Sequence, residues 1–147
     1  MMFRPMRALV AVVMLSASLG LPSAAATPSQ AEVNETLRNS PDIYNGLFTA
    51  ALIRHIVKVC PAIEPPGRLR RVSYFLSLYN RARAMGYSRD QIEAFVEDKG
   101  EQARMQSLVD NHLRRAGAEP SDRDAVCAYA RGEIAAQTAL GRQLREN

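Results

Sequence analysis

Apolar residues between Ile43 and Cys60 recur at intervals of three and four: Leu47, Ala50, Ile53, Val57 and Cys60 share one arc, widened by Phe48, Leu52, Ile56 and Val59. That spacing predicts a central helix buried on most of its sides. Ser40-Pro41-Asp42 supplies its start, with serine as cap, proline at the first helical position and an acid favouring the dipole. Pro61, Pro65, Pro66 and Gly67 end it in a stiff loop. A second helix is predicted over about 68–85, with Leu69, Val72, Phe75, Leu76 and Tyr79 on the arc expected to face the core, and Gly86 at the left-handed residue beyond its end. Ser88 and Gln91 have capping-box spacing and open a third helix carrying Ile92, Phe95 and Val96 to about Gly100. A fourth is predicted over 101–116, with Met105, Leu108, Val109, His112 and Leu113, stopping at Gly117. After Ser121–Asp124 an alanine-rich last helix is predicted to about Arg142. No segment alternates with period two for long. The expected fold is therefore all-α: a small single-domain bundle of about five helices over residues 41–147, preceded by a flexible polar arm at 27–40.

Composition changes the reading mainly at the start of the chain. Arg4 and Arg7 precede an apolar run from Ala8 to Leu21, no acid occurs before Glu32, and small residues gather at Ser23–Ala26. This is the layout of a cleavable secretory signal peptide, residues 1–26, with cleavage after Ala25 or Ala26. The run is shorter than the roughly 20 residues that span a bilayer. The expected destination is the periplasm or the exterior, with no transmembrane anchor in the mature chain. Removing Arg4 and Arg7 from 19 basic side chains leaves 17 against 15 acids, a mature balance of +2.

An oxidising compartment gives the two cysteines a default role. Cys60 and Cys127 allow one intramolecular pairing, so a disulfide is expected between the end of the first predicted helix and the start of the last. The chain-entropy model assigns such a closure roughly 4 kcal/mol. A reactive thiolate fits Cys60 poorly, because a helix C-terminus disfavours the anion. Zinc calls for four ligands at close spacing, and His55 and His112 are isolated from each other and from both cysteines. No metal or other cofactor is expected.

No nucleophile elbow, metalloprotease pair, phosphate-binding loop or dinucleotide fingerprint occurs, and no catalytic residue is assigned. The acids Asp90, Glu93, Glu97, Asp98 and Glu101 cluster, and Lys99 and Arg104 lie close enough to pair with them, as expected of a solvated helix face. Charge asymmetry is more informative. Residues 54–89 carry eight basic side chains against one acid, Glu64, whereas residues 90–124 carry nine acids and five basic side chains. Arg70, Tyr74, Ser77 and Arg81 fall on one face of the second predicted helix, with Arg71 beside it. Guanidinium forks suit carboxylate and phosphate, so this face is the candidate docking surface for an acidic protein partner of the cell envelope, an anionic lipid or a small anion. The alternative is pairing with the acidic half, within one chain or across a dimer. Nucleic acid fits neither the near-neutral charge nor the compartment.

The segment "SLYNRARAMGYSRDQIEAFVEDKGEQARM", with "CPAI" upstream and "CAYARGEIAAQTALGRQLR" downstream, resembles a group of short secreted alphaproteobacterial proteins known as a domain of unknown function. The resemblance extends from about Asn34 to Arg145. It implies no reaction and no site residues. It points towards an accessory role at a respiratory or envelope complex, since genes of the group can lie among those of the respiratory NADH dehydrogenase. A periplasmic, non-enzymatic interaction module is thus the expectation, with an acid- or stress-responsive chaperone or a small-ligand carrier as alternatives.

Overall fold

The computed structural model describes residues 26–147. The expected signal segment lies outside them except for Ala26. Six α-helices follow: α1 Gln30–Arg38, α2 Pro41–Val59, α3 Arg68–Ala84, α4 Arg89–Glu97, α5 Lys99–Arg115 and α6 Arg123–Ala135. The fold is a small all-α domain with one disulfide.

The first departure is α1, which replaces the expected flexible arm. Ser29 and Glu32 form a capping box, each holding the other's backbone amide, and this hydrogen bonding holds the Glu32 carboxyl below its usual range. A nine-residue helix is marginal alone. Val33 and Leu37, both essentially sealed from solvent, dock it beside Ile43, Ala82, Ile92 and Phe95. Gln30 Nε2 donates to Asn34 Oδ1 at 2.7 Å and to the Gln91 carbonyl at 3.0 Å, joining α1 to α4. Arg38 completes the attachment with a two-nitrogen grip on Glu101 of α5, which raises the arginine's pKa.

As expected, α2 is central: it touches α1, α3, α5 and α6. Its second half, with Leu52, Ile53 and Ile56, packs against Val109 and Leu113 of α5 and Val126 and Ala130 of α6 to form the larger core. Proline stands at the first helical position, yet Ser40 makes no side-chain cap; its hydroxyl donates to the Thr36 carbonyl of α1 at 2.8 Å. The Ser88–Gln91 capping box forms as predicted, and Gly86 and Gly117 take the positive φ values, 95° and 80°, that end α3 and α5. Asp98 ends α4 and caps α5 by accepting from the Glu101 amide at 2.9 Å.

The last helix stops at Ala135, seven residues before the expected end. Gln137 adopts φ 53°, and the chain folds back so tightly that a Cβ on Gly141 would lie 1.9 Å from the Glu133 carbonyl oxygen. After a short 3-10 turn at Gly141–Gln143, β2 (Arg145–Glu146) pairs antiparallel with β1 (Ile63–Glu64). The sequence reading expected no strand; two residues are too few to show alternation. Leu144 is carried into the larger core by this return. Among the described residues no helix is long and apolar enough to cross a membrane.

Candidate functional site

The cysteines pair as expected, with Cα atoms 5.3 Å apart, linking the C-cap of α2 to the second turn of α6 inside the larger core. Both histidines have structural partners. His55 Nε2 donates to the Pro120 carbonyl at 2.9 Å. His112 Nε2 shares a 2.8 Å hydrogen bond with the Tyr129 hydroxyl and meets the Phe48 ring edge-on. Burial, with a smaller push from Glu133, raises the Tyr129 phenol to about 12. The acidic run is not wholly a solvated face: Glu101 is buried beneath Arg38, whereas Glu93 pairs with Arg89 on the surface at 2.6 Å. Among the described residues no group of three His, Cys, Asp or Glu is placed to hold a metal ion.

The five residues of the predicted arginine face separate into four settings. Tyr74 is half-buried and donates to the Gly46 carbonyl of α2 at 3.0 Å. Gly46 permits this close approach, since a Cβ there would lie 2.6 Å from Leu78 Cδ2. Arg81 reaches Asp42 of α2 at 3.8 Å, both side chains well exposed. Ser77 is exposed. Arg70 and Arg71 are exposed, with no carboxylate or other hydrogen-bond acceptor among the described residues, and together with Tyr74 they line a cleft of about 260 Å³ against α2.

The helix carrying these arginines is turned differently from the expectation. Leu78 and Ala82 are its buried residues, while Leu69, Val72 and Leu76 stand 87%, 57% and 54% exposed and Phe75 is about half exposed. The arc expected to enter the core is thus largely open. Such a contiguous apolar face on a folded domain marks a surface for something else. The helix itself is cationic: α3 contains Arg68, Arg70, Arg71, Arg81 and Arg83 and no acid.

A family of unknown function, DUF5333, has a model that matches residues 35–145 of this chain. The chain belongs to this family. The matched range holds α2 to α6, both cysteines and the open face of α3, so these features all lie inside the DUF5333 region. No curated protein and no solved structure matches the chain.

Sequence reasoning missed several contributors to this surface. Arg54 of α2 and Gln143 of the returning C-terminal segment join Arg70 and Arg71 around the cleft. Arg68, Arg142 and Arg145 meet Arg70 in a neighbouring one. The proline-stiffened loop before α3 and the arginines of "GRQLRE" were visible; the chain reversal that brings them together was not.

Proposed function

We propose that this DUF5333 protein is a non-enzymatic interaction module of the cell envelope, which docks an acidic amphipathic segment of a partner protein on the outer face of α3. The observation carrying this reading is the exposed Leu69–Val72–Leu76 stripe on a helix with five arginines and no acid. An amphipathic helix laid on such a stripe buries apolar positions at spacings of three and four, and acids along its flanks meet Arg68 and Arg71. A second copy laid α3 against α3 offers the wrong charge, since that arrangement brings arginines together.

A photo-crosslinking amino acid at position 72 of the full chain, in its native host, tests this. The expected result is one discrete adduct whose crosslinked segment carries acids, abolished by Leu69→Ser with Leu76→Ser. A self-adduct, no adduct, or purified protein co-sedimenting with phosphatidylglycerol vesicles but not with neutral ones overturns it. The chaperone alternative calls for apolar surface that opens on acidification, whereas the α3 stripe is open in the folded domain. An apolar-dye signal independent of pH separates the two.

A further inference from the structure

Nine of the fifteen arginines among the described residues have an acceptor: Arg38, Arg89, Arg114 and Arg131 hold carboxylates, Arg81, Arg104 and Arg145 lie within 4.0 Å of one, and Arg83 and Arg142 hold backbone carbonyls. Six have none, namely Arg54, Arg68, Arg70, Arg71, Arg115 and Arg123, and the first four of these converge on the start of α3. Clustered like charges destabilise a fold unless something answers them. The one acid of this region, Glu64, is occupied by Arg145 at 3.7 Å.

Two adjoining clefts of different character meet there. The first, about 260 Å³, is walled mainly by apolar groups, among them Ala50, Ile53, Val57, Pro66 and Phe75. The second, about 510 Å³, is lined by Arg68, Arg70, Arg142 and Arg145 with Pro66, Gly67, Leu69 and Gln143. They share Pro66, Arg70 and Gln143, so an apolar slot opens directly beside a four-arginine basin. Two prolines fix the intervening loop, which lowers the ordering cost of binding there.

We propose that the paired clefts are one binding site for a single-chain amphiphile with a phosphate-type head. The alkyl chain lies in the slot against Ile53, Val57 and Phe75. The head lies in the basin, where guanidinium forks match phosphate oxygens two at a time. Arg54 and Arg71 flank the slot and add attraction without occupying it. The site adjoins the α3 stripe at Arg68 and Leu69 but extends away from it, since Val72 and Leu76 line neither cleft.

Isothermal titration of the full mature chain with decyl phosphate below its micelle concentration tests the assignment, with decanol and inorganic phosphate as separate arms. Decyl phosphate binds more tightly than either fragment, and across a butyl-to-decyl series affinity climbs about threefold to fourfold per methylene until the slot is full. Ala50→Leu, which narrows the slot, flattens the chain-length dependence and leaves phosphate binding intact. Arg70→Gln and Arg68→Gln each weaken decyl phosphate at least tenfold and shift decanol little. Val72→Ser with Leu76→Ser changes nothing, so loss of partner docking and loss of this site read out independently. Inorganic phosphate binding as tightly as decyl phosphate, decanol matching it, or indifference to Ala50→Leu and to both arginine variants in chains with native circular dichroism overturns the proposal.

Discussion

Reducing the disulfide measures how far the domain depends on one covalent link. Cys60 and Cys127 are separated by 67 residues, and removing that constraint from the unfolded chain costs about 4 kcal/mol in the loop-entropy model. Both residues are buried in the larger core, Cys60 completely and Cys127 at 7% exposure, so the free thiols remain packed as small apolar groups and the loss is mainly that of the constraint. Domain stabilities run from about 5 to 15 kcal/mol, so reduction takes away between a quarter and most of the total. With a urea m-value of about 2 kcal/mol per molar, the midpoint falls by about 2 M, and m itself rises because the unfolded chain expands. The assay is urea unfolding followed by circular dichroism on oxidised protein, reduced protein and the Cys60→Ala/Cys127→Ala variant. That variant should resemble the reduced protein and ignore reductant. A loss below about 1 kcal/mol refutes the reasoning, since α2 and α6 would then be held by packing in an already restricted unfolded state.

Other perturbations have definite expected outcomes. Leu113→Ala, at a fully buried site, costs about 2–5 kcal/mol in the same urea assay, whereas Leu76→Ala on the open face of α3 changes stability by no more than about 0.5 kcal/mol. Arg38→Met leaves the buried Glu101 carboxylate, whose side chain is 10% exposed, with only the Arg104 guanidinium 4.0 Å away, and costs about 1–3 kcal/mol; adding Glu101→Leu restores most of it. Gln137→Gly removes a left-handed strain and raises stability by about 0.5–1 kcal/mol, measured as a higher urea midpoint. The Tyr129 phenol, raised to about 12, favours the fold in its neutral form. Its contribution is complete below about pH 10, where a free tyrosine begins to ionise, and disappears as pH rises through 12, at most about 2 kcal/mol. A late step in the ultraviolet phenolate titration, missing from Tyr129→Phe, reports it.

Local chemistry was the legible part of this fold. Gly86, Gly117 and the Ser88–Gln91 box end or begin helices where the sequence places them, because each acts within a few residues. The cysteine pairing followed from parity and the expected oxidising compartment. What stayed hidden depends on contacts made at a distance. The α1 segment has two apolar anchors in nine residues and becomes a helix by docking on Ile92 and Phe95; the Ser29–Glu32 box was its one local signal. Periodicity located the apolar arc of α3 but not which face turns inward, and the narrower face carrying Tyr74, Leu78 and Ala82 engages α2 over Gly46. Arg70 and Arg71 were legible as part of a candidate site, while Arg142 and Arg145 needed the reversal after Ala135 to reach them.

That reversal bears on how the chain matures as it is made. Leu144 occupies the larger core beside Ile63 and Cys60, and β1 has no strand partner until Arg145 and Glu146 arrive. A chain emerging N-terminus first can assemble α1 to α6, yet its core retains a leucine-sized vacancy until residues 144–146 have emerged and folded back. Core closure, the β1–β2 pairing and the basic basin beside α3 are therefore completed together, by the short segment from Arg142 to Glu146.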